Sequence, residues 1–85
     1  MCIRDRIRTR ARQGKGPRLV RAELAQHGID GDPLRDALEE AEVDWMDAAR
    51  EALRRTSKQE PMAQRQHLLR KGFNNDQVRE LLGRE

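Results

Sequence analysis

The second half of this chain falls on its first when the sequence is displaced by 44 residues. Pro17 then meets Pro61, Arg21 meets Arg65, Leu24 meets Leu68, Gly28 meets Gly72, Asp32 meets Asp76, Arg35 meets Arg79 and Leu38 meets Leu82. Ile29 against Phe73, Leu34 against Val78 and Asp36 against Glu80 are conservative pairings. The match aligns helix-starting prolines and helix-stopping glycines as well as leucines. A repeat of this length implies stacked helical units, none of which buries its apolar face alone.

Four groups of breakers, around residues 14–17, 28–33, 56–61 and 72–75, separate the chain into segments of ordinary helix length. Pro17 and Pro61 each suit a first helical turn, where a missing N–H costs nothing. Gly28 and Gly72 each suit the left-handed position that ends a helix. Asp32 before Pro33, and Asp44 before Trp45, read as N-caps. Leu34, Ala37, Leu38 and Ala41 recur at i, i+3, i+4, i+7, as do Trp45, Ala48, Ala49 and Ala52, which marks one face of a helix. Further helices are expected from about Pro61 to Lys71 and from about Asp76, and residues 7–13 read as the end of an earlier one. No stretch alternates as a strand would. The fold class is therefore all-α: tandem three-helix repeats of helix-turn-helix-like units, about five to six short helices. The expected anchors are Leu24, Ile29, Leu34, Leu38, Trp45, Leu53, Leu68, Phe73, Val78 and Leu82. Ile29 and Phe73 follow their glycines and should fold back onto the last turn, and Trp45 should pack where the units meet.

Composition limits what such a stack can do. Only 35% of the 85 residues are hydrophobic, and Trp45 and Phe73 are the only aromatics. Helices this short rarely persist alone in water, so packing must hold them. Cys2 is the only cysteine, which excludes an internal disulfide and multi-cysteine metal sites. No apolar run approaches a membrane span or a signal-peptide core, and a cytoplasmic protein is expected. The phosphate-binding loops, metal-binding HExxH motif and nucleophile elbow of common enzymes are all missing. His27 reads as a cation at a helix C-terminus, His67 has no partner at a useful spacing, and Glu39, Glu40 and Glu42 read as a solvated helix face. No enzyme activity, metal or cofactor is expected.

The formal net charge of +3 is modest, but its distribution is not even. Residues 1–23 carry eight Lys/Arg against two acids, residues 30–51 nine acids against two Arg, and residues 52–85 eight Lys/Arg against four acids. Such asymmetry steers charged partners; solvated helix faces are the plainer explanation for any one cluster.

Three stretches in register resemble the RecX family of regulatory proteins. Gly14-Lys15-Gly16-Pro17-Arg18-Leu19-Val20-Arg21-Ala22-Glu23-Leu24, with Gly28-Ile29 after it, is similar to that family's second repeat. Val43-Asp44-Trp45 with Ala48-Ala49-Arg50 is similar to the start of its third. Arg65, Leu68-Leu69-Arg70-Lys71-Gly72-Phe73 and Val78 are similar to the end of that repeat. The resemblance runs over about residues 7–83. It implies tandem three-helix repeats and binding to the RecA–DNA filament, with inhibition of its ATPase and strand exchange, and hence of recombination, DNA repair and the SOS response. It divides the chain into residues 7–43, a second repeat with a shortened first helix, and residues 44–85, a third repeat. A further repeat normally precedes these. Residues 1–6 fall outside the pattern and read as a leader, non-native or disordered.

Candidate contacts to the RecA filament or to DNA are Arg8, Arg10, Arg12, Lys15, Arg18 and Arg21 around the first Gly-Pro turn, and Arg65, Arg70 and Lys71 in the second unit. Arg21 and Arg65 occupy equivalent positions and are expected to share a face. Two other readings stand beside this one. The first is a small basic module binding single- or double-stranded DNA directly, against which the central acidic stretch counts. The second is a scaffold module for another protein. A monomer is expected in each case.

Overall fold

The computed structural model describes residues 2–83; Met1, Arg84 and Glu85, at the outer edges of the expected leader and second unit, lie outside the described residues. Six helices follow one another: α1 (Ile3–Arg12), α2 (Pro17–Gln26), α3 (Gly31–Ala41), α4 (Trp45–Arg54), α5 (Pro61–Arg70) and α6 (Asn75–Leu82). Among the described residues there is no strand. In the first unit α1 packs against both α2 and α3, and in the second α4, α5 and α6 pack mutually.

The repeat seen in the sequence is present in the backbone. α2 and α5 begin and end at positions 44 residues apart, and α3 and α6 begin at that same spacing. Both second helices stop in the same way. The amides of Gly28 and Ile29 donate back to the carbonyls of Ala25 and Leu24, and those of Gly72 and Phe73 to Leu69 and Leu68. This paired closure of the last turn needs a left-handed residue at its corner, supplied by Gly28 (φ +83°) and Gly72 (φ +97°). The first helices break the register, because six residues join α4 to α5 where four join α1 to α2.

Two cores form, and they touch. Ile7, Val20, Leu24, Ala37 and Ala41 make the first; Ala48, Ala49, Ala52, Leu68, Phe73 and Val78 make the second, with Ala11 of α1 reaching across into it. Val43 and Trp45 pack against both, so Trp45 does sit where the units meet. Leu24, Leu68, Phe73 and Val78 are fully buried as expected, whereas Ile29, Leu34, Leu38, Trp45, Leu53 and Leu82 are only half-buried. A stack of thin units has little interior, and small alanines fill much of it.

Two helix starts differ from the sequence expectation. α3 begins at Gly31, with Asp30 rather than Asp32 in the N-cap position but without a side-chain capping bond, and α6 begins at Asn75, one residue before the expected Asp76, capped by Asn74. Pro33 still lies in a first turn, where no N–H is needed. Asn74 and Gln77 bond each other's backbone reciprocally and fix the start of α6. The third difference concerns the leader. α1 starts at Ile3, and the Cys2 thiol accepts from the Asp5 amide at 3.4 Å. Ile3, Ile7 and Ala11 are spaced i, i+4, i+8, so they share one helix face; Ile7 and Ala11 are buried and Ile3 packs on the first core. Ile3–Arg6 are thus ordered helix, not a disordered leader.

Candidate partner interface

The most intimate contact between the units is made by backbone. The turn before α2 rests on the end of α5: the Gly16 amide donates to the Lys71 carbonyl at 2.6 Å, and the Arg18 amide to the Gly72 carbonyl at 3.0 Å. Gly16 has no side chain with which to cap α2. The end of α5 supplies the missing acceptors, so an orphan N–H of one helix satisfies an orphan C=O of another. The approach is so close that a Cβ on Gly16 would lie 2.5 Å from the Gly72 carbonyl carbon. One on Gly14 would come within 3.2 Å of the Ala52 Cα.

This junction sorts the nine candidate cations. Arg8 is half-buried, and its Nε donates to the Ala41 carbonyl at 3.0 Å, bracing α1 against the end of α3. Arg10 and Lys15 converge on Glu23, at 3.0 and 3.3 Å. These three are engaged within their own unit. Arg12 is exposed and reaches Thr9. Arg18, Arg21, Arg65, Arg70 and Lys71 form no ion pair among the described residues. Arg21 is exposed while its counterpart Arg65 is half-buried, so the two are not presented equally. Arg18, in the first turn of α2, is bonded through its amide to Gly72, so its backbone lies beside the turn that follows Arg70 and Lys71.

Sequence reasoning missed two members of this cluster. His67 lies one turn before Arg70 and Lys71, on the same face of α5. Burial holds its imidazole below the ordinary histidine pKa, and the nearby charges of Lys71, Arg70 and Arg55 lower it further. Its Nε2 is buried with no partner among the described residues. Arg55 is tied to Glu51 at 2.9 Å. The result is a group of cations at a backbone seam, suited to carboxylates or phosphates. Nearby, between α1, α3 and α4, lies an open groove of about 600 Å³ with Ala11, Val43 and Ala48 at its base and both Arg12 and Asp47 on its rim.

The acidic residues Glu39, Glu40 and Glu42 are exposed, as is His27 at the end of α2. Among the described residues no group of three or more His, Cys, Asp or Glu side chains is placed to hold a metal ion. No described helix is long and apolar enough to cross a membrane.

Two trihelical units whose cores touch define an all-α tandem helical-repeat protein. Residues 3–38 match the family model described as RecX, second three-helix domain. The chain is 38% identical over 80 residues to the regulatory protein RecX of Halorhodospira halophila, covering 86% of this chain and 50% of that one. It is 41% identical over 81 residues to that of Stenotrophomonas maltophilia (86% and 49%), and 39% identical over 80 residues to that of Xanthomonas citri (86% and 49%). The chain belongs to the RecX family of regulatory proteins, and it spans about half the length of the curated relatives it matches. No solved structure matches it at the stringency these relatives meet.

Proposed function

We propose that this chain binds the RecA nucleoprotein filament and restrains its ATPase and strand-exchange activities, as a cytoplasmic, non-enzymatic regulator of recombination, repair and the SOS response. The observation that supports this reading is the seam where the amides of Gly16 and Arg18 donate to the carbonyls of Lys71 and Gly72, with Arg70 next in the chain, in a chain of the RecX family. A filament of protein and DNA offers both carboxylates and phosphates, and fixed cations steer such a partner and set its register. The chain acts as a monomer, and Arg12, Arg18, Arg21, Arg70 and Lys71 make the contacts. Arg8, Arg10 and Lys15 contribute by holding the first unit in shape.

Direct binding to single- or double-stranded DNA is the second reading, favoured by the same exposed cations. Salt separates the two, because a complex driven by phosphate contacts weakens steeply as salt rises. The decisive experiment is RecA ATPase on single-stranded DNA with increasing amounts of this chain. Falling ATPase at a salt concentration where the chain no longer holds naked DNA supports filament binding. Unchanged ATPase at saturating chain removes the inhibitory reading.

A further inference from the structure

The groove between α1, α3 and α4 spans the joint between the two units, and its walls are unlike. The floor is small and apolar, with Ala11 of α1, Ala48 of α4 and Val43 of the link before α4. Along α1 the wall carries Arg8 and Arg12, four residues apart and so on one helix face. Along α4 it carries Asp47 and Glu51 at the same spacing. A cationic edge thus faces an acidic edge across an apolar floor. At about 600 Å³ the space falls within the range of about 300–1,000 Å³ typical of binding pockets.

The two edges do not close on each other. Among the described residues no ion pair crosses the groove. Asp47 pairs with Arg50, and Glu51 with Arg54 and Arg55, all from the α4 side. Arg8 donates to the Ala41 carbonyl and Arg12 to the Thr9 hydroxyl. Arg12 and Asp47 are exposed, and one Asp47 oxygen accepts no hydrogen bond among the described residues. Opposite charges held apart in this way favour a partner that brings the reverse pattern.

Nucleic acid cannot supply that pattern. Its phosphates would be drawn to Arg12 but repelled by Asp47 and Glu51, and by Glu42 and Asp44, which also line the groove. A polypeptide can supply it: an aliphatic side chain for the floor, a carboxylate for Arg12 and a Lys or Arg for Asp47. An amphipathic helix presents these groups together, as an apolar stripe with unlike charges on its two edges.

We propose that this groove docks an amphipathic helix of the RecA protomer itself. The apolar stripe of that helix seats on Ala11, Val43 and Ala48, its acidic edge faces Arg12, and its basic edge faces Asp47. The identity of the partner rests on the filament reading above, whereas the chemistry of the segment comes from the groove. The groove therefore reads the protein of the filament and not its DNA. Because α1 and α4 belong to different units, a seated segment touches both at once.

Reversing the charge of the acidic edge separates protein from DNA by sign. Asp47→Lys adds positive charge, so a groove that faced phosphates would bind more tightly, whereas one that faces a basic protein edge binds more weakly. Asp47→Lys should weaken binding to RecA filaments on single-stranded DNA about tenfold, and Asp47→Asn by less. Neither should weaken binding to naked single-stranded DNA. Unchanged or tighter filament binding by the folded variants overturns the proposal. A second measurement uses Cys2→Ser/Asp47→Cys with a photo-activated cross-linker on residue 47. It should join to RecA polypeptide in the filament, at a segment with an aliphatic side chain between acidic and basic ones. Joining to DNA alone, to another copy of this chain or to nothing overturns the proposal. Wild-type chain on the same filaments distinguishes the two failures. If it does not bind, the filament reading falls and this proposal with it; if it binds and the residue 47 variants behave like it, the groove assignment alone falls.

Discussion

Gly72 lies so close beneath Leu19 that a Cβ on it would stand 2.4 Å from the Leu19 nitrogen and 2.6 Å from the Leu19 Cβ. Its repeat counterpart Gly28 has the same backbone sign and open space instead. The pair separates conformational strain from packing. Gly28→Ala meets only the left-handed penalty, about 1–2 kcal/mol. Gly72→Ala adds a clash with backbone atoms that cannot rotate away, for a total of about 3–5 kcal/mol. Urea unfolding of both variants checks the order; equal losses would show that the seam contributes nothing to stability.

Glu23 gathers Arg10 and Lys15, with all three side chains about a quarter to a third exposed. Solvent screening keeps such pairs small, so Glu23→Gln should cost about 0.5–1 kcal/mol at low salt. The difference from wild type should fade by 1 M NaCl, where the Debye length is about 3 Å. The same substitution frees two cations beside the Gly-Pro turn. If partner binding is driven by that surface, affinity for an anionic partner should rise as stability falls, a combination that titration at two salt concentrations resolves.

Much of this architecture was legible because repetition marks it. Pro17 and Pro61, and Gly28 and Gly72, fix where the second helices start and stop, and local backbone chemistry sets those points without help from distant residues. The start of α1 was not legible, because Ile3 and Ile7 lie outside the repeated stretch and five arginines between positions 4 and 12 mask their i, i+4 pairing. The N-cap position of α3 was misplaced by two residues, since Asp30 and Asp32 are the same capping residue type and Asp32 stands directly before Pro33. For the candidate interface, charge alone could not tell Arg10 and Lys15, which are held by Glu23, from Arg18 and Arg70, which are not. Nor could it show His67 among those cations, because the closeness of the two units is set by glycines, which carry no charge signal.

The second core should be less tolerant than its size suggests. Phe73 and Leu68 are fully buried, and Phe73 lies under the inter-unit contact. Truncating either to alanine should cost about 3–5 kcal/mol for Phe73 and 2–5 kcal/mol for Leu68. Those losses are comparable to the whole stability, about 5 kcal/mol, of a small domain at the low end of the usual range. Both variants should be largely unfolded by circular dichroism at 37 °C. Leu69→Ala, one residue along and exposed, should unfold within about 0.5 kcal/mol of wild type. If Leu69→Ala proves as damaging as Leu68→Ala, the facing assigned to α5 is incorrect.

His67 gives the fold a pH dependence whose sign follows from its surroundings. Burial, then Lys71, Arg70 and Arg55, hold its folded pKa below the ordinary value of 6.5. Well above pH 6.5 the imidazole is neutral in both states and contributes no pH dependence. As pH falls through 6.5 the unfolded chain takes up a proton that the folded chain resists, so stability declines. His67→Gln removes that proton uptake and should flatten the curve between about pH 7 and pH 5. The measurement is the wild-type minus variant difference in unfolding free energy across that window, in which carboxylate protonation common to both cancels. An anionic partner seated on Arg70 and Lys71 should reverse the trend by offsetting the charges that oppose protonation, so its affinity should increase as pH falls in the wild type and not in His67→Gln. A wild-type affinity that is flat from pH 7 to pH 5 would place the partner's anionic groups away from this seam.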